Sequence, residues 1–163
     1  MPELHEDWTG LLGLLCKTCG GKGVDDSDYA TDGAELLPAC PICQGTGYRK
    51  PEPQEVNDWL AVEVKGWSEG EDGVYWWGKD SSGLWSIPKV KCGNWHPLTD
   101  ANHALRLVAG IKDVNMSFAG AFEPAHHWLV EVYGGRVNAQ ARSFCEALCL
   151  AAAKATAEAR KYE

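Results

Sequence analysis

Cys16-Lys17-Thr18-Cys19-Gly20-Gly21-Lys22-Gly23 and Cys40-Pro41-Ile42-Cys43-Gln44-Gly45-Thr46-Gly47 decide how the first third of this chain folds. Both stretches read Cys-x-x-Cys-x-Gly-x-Gly, and residues 20–39 lie between the two cysteine pairs. Two cysteines three apart on a tight turn aim both sulfurs at one ion at about 2.3 Å, and a second such knuckle completes a tetrahedron. The glycines serve the same geometry, because a turn folding back under a metal needs backbone with positive φ, which glycine adopts without strain. Four donors from the protein leave no coordination position for water, the pattern of a structural rather than a catalytic site. The expectation is one structural Zn²⁺ on Cys16, Cys19, Cys40 and Cys43. A pair of redox-active C-x-x-C motifs is the competing reading. A module of about 40 residues cannot build a stable core alone, so the metal is expected to fold it.

The doubled motif resembles the cysteine-rich zinc region of DnaJ-type co-chaperones, over residues 14–49. That region has four such repeats forming two sites, and the two repeats here are enough for one. No J domain accompanies them, so the resemblance does not imply co-chaperone activity.

The whole chain has 163 residues and a mass of 17.8 kDa, room for one ordinary domain plus a small stapled module. Apolar residues make up 45%, which excludes wholesale disorder. Lysine and arginine number 15 against 23 acidic residues, a net charge of −8. Four thiolates on one Zn²⁺ would add about two further negative charges. That balance argues against a phosphate-backbone binder with a basic face. No apolar run is long enough to cross a bilayer. Glu3, Glu6 and Asp7 precede the short Leu11–Leu15 patch, whereas a secretory signal needs a basic start and a longer apolar stretch. The expected location is therefore the cytoplasm.

Composition changes at Arg49-Lys-Pro-Glu-Pro-Gln54, where two prolines among charged and polar neighbours make a stiff, extended linker. The expected division is a zinc module over 1–50, a linker over 51–55 and a second domain over 56–163. In that domain the 3.6-residue apolar period predicts helices over Val56–Trp67, Thr99–Lys112 and Ala139–Lys161. Val74–Lys79 and Leu84–Pro88 read as strands around a turn at Asp80–Gly83. Val114–Phe122 and Trp128–Tyr133 alternate as a second hairpin across Glu123–His127. The order αββαββα makes the fold class α+β: a three-layer sandwich with one four-stranded antiparallel sheet.

Asp58-Trp-Leu-Ala-Val-Glu-Val-Lys-Gly-Trp67, the aromatic hairpin, Thr99-Asp-Ala101 and Ala147-Leu-Cys-Leu-Ala-Ala-Ala-Lys-Ala155 resemble segments of the phage ABA sandwich domain, over roughly residues 56–156. The resemblance implies a bacteriophage origin, hence a bacterial host cytoplasm, and a three-layer α/β/α sandwich. It brings no activity and no catalytic residues.

No phosphate loop, nucleophile elbow, H-E-x-x-H or dinucleotide fingerprint is present, so the chain is expected not to be an enzyme. His126-His127 falls in the predicted hairpin connection, and His103 falls on a polar helix face at the surface. Cys92, His96, Cys145 and Cys149 could form a second metal site. The apolar face carrying Cys145 and Cys149 favours packing instead. Of eight tryptophans, Trp76 and Trp77 are adjacent on a strand and point to opposite faces, which leaves one as a candidate anchor for a protein partner. Asp25, Asp26 and Asp28 in the acidic insert 24–38 are candidates for electrostatic guidance. The functional expectation is a phage-encoded accessory protein that binds another protein, in the manner of an inhibitor of a host defence system such as CRISPR. The alternative is a nucleic-acid-binding or regulatory zinc protein, with Lys17, Lys22, Arg49 and Lys50 near the knuckles to touch phosphate.

Overall fold

Ser143 starts the helix around which the larger part of the chain is assembled. In the computed structural model, which describes residues 3–24, 38–71, 73–79, 82–119 and 127–162, the Ser143 hydroxyl accepts a hydrogen bond from the Glu146 N–H at 3.2 Å and caps α4 (Phe144–Ala159). Residues Ala147 through Ala153, and Ala155, are all buried. A helix apolar all round must be covered on several sides, and α4 touches the strands His127–Val132 and Val137–Ala141, the helix Ala101–Val108 and the helical turn Leu60–Val64. Its alanines permit that close approach, and Leu148 and Leu150, both fully buried, each contribute about 1.5–3 kcal/mol of apolar transfer.

The helix begins later than the expected Ala139, because Ala139 and Ala141 belong to a strand. Val137, Ala139 and Ala141 are buried while Asn138 and Gln140 are exposed, the period of two that defines β6 (Val137–Ala141). A turn with positive φ at Tyr133, Gly134 and Gly135 returns the chain from β5 (His127–Val132), so that Val132 faces Val137 and Trp128 faces Ala141. On the other side β5 pairs with β4 (Asn115–Ala119), in register Asn115 with Glu131. Met116 and Phe118 of β4 are exposed; Phe118 lays its ring 5.0 Å from that of Trp128, which in turn meets Phe144 at 4.9 Å.

The expected single four-stranded sheet is replaced by two three-stranded antiparallel sheets, β4-β5-β6 and β1-β2-β3. The second comprises β1 (Ser68–Glu69), β2 (Tyr75–Lys79) and β3 (Trp85–Lys91). It contains the expected aromatic hairpin, extended to Lys91, with register shifts between Trp76 and Trp77 and between Gly78 and Lys79. The third strand of each sheet is a short or polar segment that an αββαββα reading does not contain, so that order is replaced as well.

Two compact units result, Glu6–Glu52 and Pro53–Glu163 with the first five residues. In the larger one, Pro53 opens α2 (Pro53–Trp59), where its missing N–H has no helical partner to lose; the helix thus starts within the stretch read as linker. It continues as a π-helical turn, Leu60–Val64, closed by the Lys65 N–H on the Leu60 carbonyl at 3.1 Å. Gly66, at φ +63, ends it. Helix α3 (Ala101–Val108) is capped by Asp100, whose carboxylate accepts from the Asn102 and His103 N–H groups. Thr99, where the sequence pattern starts this helix, lies one residue outside the cap.

Trp95 is fully buried beside these helices; its indole N–H donates to the Asn57 carbonyl at 2.9 Å, and the Asn57 side chain accepts from the Leu98 N–H. Its ring meets Trp67 at 4.7 Å and His103 at 5.1 Å. His103 is consequently half-buried, not a surface residue, because the segment Trp95–His96 folds over its face of α3 and the His96 N–H reaches His103 Nδ1 at 3.3 Å. Among the described residues no helix is long and apolar enough to cross a membrane.

Candidate metal centre

In the smaller unit, a short helix α1 (Asp7–Leu12) leads into the first knuckle, with Gly13 at φ +61 ending it. The two knuckles then face each other with approximate twofold symmetry. Leu15 pairs with Tyr48, and Ala39 pairs with Val24. The Cys16 N–H donates to the Gly47 carbonyl at 2.8 Å, and the Cys40 N–H donates to the Gly23 carbonyl at 3.0 Å. Adding 24 to each residue number of the first knuckle gives its counterpart in the second. The φ angles follow the same rule: +87 and +77 at Gly21 and Gly23, +88 and +76 at Gly45 and Gly47.

This pairing brings Cys16, Cys19, Cys40 and Cys43 together, all buried, with their sulfurs within 4.8 Å of one another. The cross-knuckle pairs stand at 3.9 Å for Cys16 with Cys40 and 3.7 Å for Cys19 with Cys43. A tetrahedron with metal–sulfur arms of about 2.3 Å has edges of about 3.8 Å. The four sulfurs can therefore hold one metal ion with little rearrangement. Backbone donors complete the site: the Gly23 N–H points at Cys19 Sγ and the Gly47 N–H at Cys43 Sγ, each at 3.3 Å.

These donors favour the thiolate that a metal requires. Burial pushes the Cys43 thiol up, but the Gly47 N–H, the Cys19 sulfur and the Gly45 N–H outweigh it and bring its pKa down to about 7. The Cys19 N–H lowers Cys16 against the opposing effect of burial. Cys40 goes the other way: the Cys43 N–H lowers it, but burial and the Cys43 and Cys16 sulfurs raise it further.

Close packing of the two backbones explains the second glycine of each repeat. A Cβ on Gly23 would stand 2.5 Å from the Gly45 carbonyl oxygen, and one on Gly47 would collide with the Gly21 carbonyl oxygen. The knuckle glycines were legible in the sequence, but their backbone donors and their contact across the pair were not; the shared 24-residue offset was the available signal.

The other candidate residues are dispersed. Asp25, Asp26 and Asp28 lie outside the described residues, as do His126 and most of the acidic insert. Trp76 is buried and Trp77 half-buried, both in β2. Trp76 Nε1 has no hydrogen-bond partner among the described residues. Cys92, His96, Cys145 and Cys149 do not form a metal-ligating group among the described residues. Cys149 is fully buried, and burial, then Cys145 and Glu146, push its thiol well above the ordinary range. It is a neutral packing group. Lys17, Lys22 and Lys50 are exposed and Arg49 is half-buried.

No family model matches the chain, and no curated protein matches it. Among solved structures, a phage protein from Bacillus cereus ATCC 14579 is similar, at 13% identity and a TM-score of 0.41, over 64% of this chain and 91% of that one.

Proposed function

We propose that this chain is a non-enzymatic binding protein whose smaller unit is folded by one structural Zn²⁺ on Cys16, Cys19, Cys40 and Cys43. The observation that carries the reading is the closed set of four buried sulfurs at tetrahedral spacing. All-thiolate tetrahedral coordination favours zinc over harder cations, and it leaves no position for a substrate or an activated water. The unit therefore presents a surface instead of performing chemistry. That surface includes Leu15 and Tyr48, paired across the bridge and 57% and 45% exposed, and Ile42, 66% exposed. Exposed apolar groups of this size are what a protein partner covers.

The finer reading follows from the DnaJ-like knuckle, the phage ABA sandwich resemblance and the charge of −8. It is a phage accessory protein acting in the host cytoplasm on a basic partner surface, such as the nucleic-acid groove of a CRISPR effector. Charge complementarity of that kind raises the association rate. Elemental analysis of protein purified without chelator tests the metal, with one zinc per chain expected and none refuting it. Binding kinetics with a partner recovered from bacterial lysate test the rest. Association should slow as salt rises, with Leu15→Ser and Tyr48→Ser raising the off-rate. A partner bound equally well by the double variant would sink the assignment of this surface.

A further inference from the structure

The larger unit of this acidic chain contains an open pocket of about 620 Å³ whose lining includes Lys65, Trp67, Lys79, Lys89 and Arg106 and, among the described residues, no carboxylate. Four separate elements supply the cations. Lys65 follows the π-helical turn, Lys79 and Lys89 lie on β2 and β3, and Arg106 sits in the last turn of α3. Lys65 Nζ is fixed there, donating to the Arg106 backbone carbonyl at 3.1 Å and lying 6.0 Å from the centroid of the Trp67 ring. The stem of Lys89 lies across Gly78, where any Cβ would collide with Lys89 Cε, so a glycine on β2 is what lets this lysine reach over the strand.

Among the described residues, Lys65, Lys89 and Arg106 form no ion pair with a carboxylate; the ion pairs seen there join other residues. Burial first, then the Arg106 and Lys89 charges, lower the Lys65 ammonium pKa below the ordinary lysine value. Lys65, Lys89 and Arg106 gathered this closely repel one another, and among the described residues the one carboxylate whose charge acts on this group, Asp100, does so through Arg106. An anion placed among them removes that repulsion and gains charge-assisted hydrogen bonds.

We propose that this pocket binds a small phosphate-bearing molecule of nucleotide size, with Lys65, Lys89 and Arg106 holding its phosphates and Trp67 forming the adjoining wall. Guanidinium and ammonium groups together suit phosphate, the first as a fork and the second as point charges. The volume exceeds what one phosphate needs and lies within the range of about 300–1,000 Å³ typical of small-molecule pockets. A long nucleic acid is disfavoured, because beyond about 8–10 Å from the cluster it would meet the negative field of the whole chain.

Calorimetric titration of the full-length zinc-loaded protein with ADP, with pyrophosphate and with adenosine tests the proposal. ADP is expected to bind, more weakly as salt rises, and adenosine alone is not. Lys89→Gln and Arg106→Gln replace exposed side chains and should each weaken ADP by about tenfold or more with an unchanged melting temperature. Gly78→Ala, which displaces Lys89, should weaken it as well. Tighter binding of ADP than of pyrophosphate assigns a nucleotide, and equal binding assigns the phosphates alone. Absence of binding by both, or affinity unchanged in the folded Lys89→Gln/Arg106→Gln double variant, overturns the site. So does binding of a single-stranded oligonucleotide or an acidic peptide that ADP fails to displace. Cys40→Ser should leave ADP binding intact, which separates this inference from the zinc reading.

Discussion

Gly23→Ala is the sharpest test of how the two knuckles are joined. At φ +77 an alanine enters the left-handed region, at roughly 1–2 kcal/mol. Its Cβ would also stand 2.5 Å from the Gly45 carbonyl oxygen, a separation no real contact tolerates, so the two strands must part. Parting them weakens the Cys40 N–H bond to the Gly23 carbonyl and the Gly23 N–H bond to Cys19 Sγ. At about 0.5–1 kcal/mol each, these bring the total to roughly 2–4 kcal/mol. Because metal binding and folding of such a unit are one equilibrium, the loss should appear as a zinc affinity about 30- to 700-fold weaker, measured by competition with a chelating dye. Gly20→Ala is the control. Its φ is +59 with nothing within 4 Å of the added Cβ, and its counterpart Gln44 already carries a side chain at φ +51. It should show only the backbone contribution, about 5- to 30-fold. Equal losses in the two variants would refute the close-approach argument.

Replacing Cys40 by Ser should release the metal and unfold residues 6–52 while Pro53–Glu163 keeps its melting transition; hydrogen exchange would show whether protection is lost in one unit or both. The Cys145→Ala/Cys149→Ala double variant should lose about 1–3 kcal/mol in chemical denaturation with no change in zinc content, and a fall in zinc would reveal a second site. Ser143→Ala removes the cap of α4 and should destabilise the larger unit by about 1 kcal/mol, read as a lower midpoint at unchanged m. The His103 N–H bond, against partial burial, holds the Asp100 carboxyl below its ordinary value. A depressed folded-state pKa means that its stabilisation is whole above the ordinary aspartate value, about 4, and fades as pH falls through the lowered one. Asp100→Asn keeps the cap but should flatten that part of an acid melting series.

What the sequence determined alone was local. Two C-x-x-C-x-G-x-G repeats mark the four sulfurs, because knuckle geometry depends on spacing within eight residues. The period of 3.6 through Phe144–Ala159 marks the buried helix, and the aromatic run before and after Asp80–Gly83 marks the β2–β3 hairpin. What the tertiary structure decided was every pairing between distant segments. Ala139 and Ala141 are good helix formers, yet Val137–Ala141 is a strand because β5 offers its edge across the Tyr133–Arg136 turn, and ladder bonds with burial on α4 outweigh intrinsic propensity. The division into two sheets likewise depends on Ser68–Glu69 finding Trp76–Trp77, a pairing no periodicity in two residues can announce. His103 reads as a polar-face residue until Trp95 folds over it. The twofold contact of Gly23 with Gly45 and of Gly47 with Gly21, and the convergence of Lys65, Lys89 and Arg106 on one pocket, arise the same way. Each side chain is ordinary in its own segment, and only the distance closed by folding gives the group its chemistry.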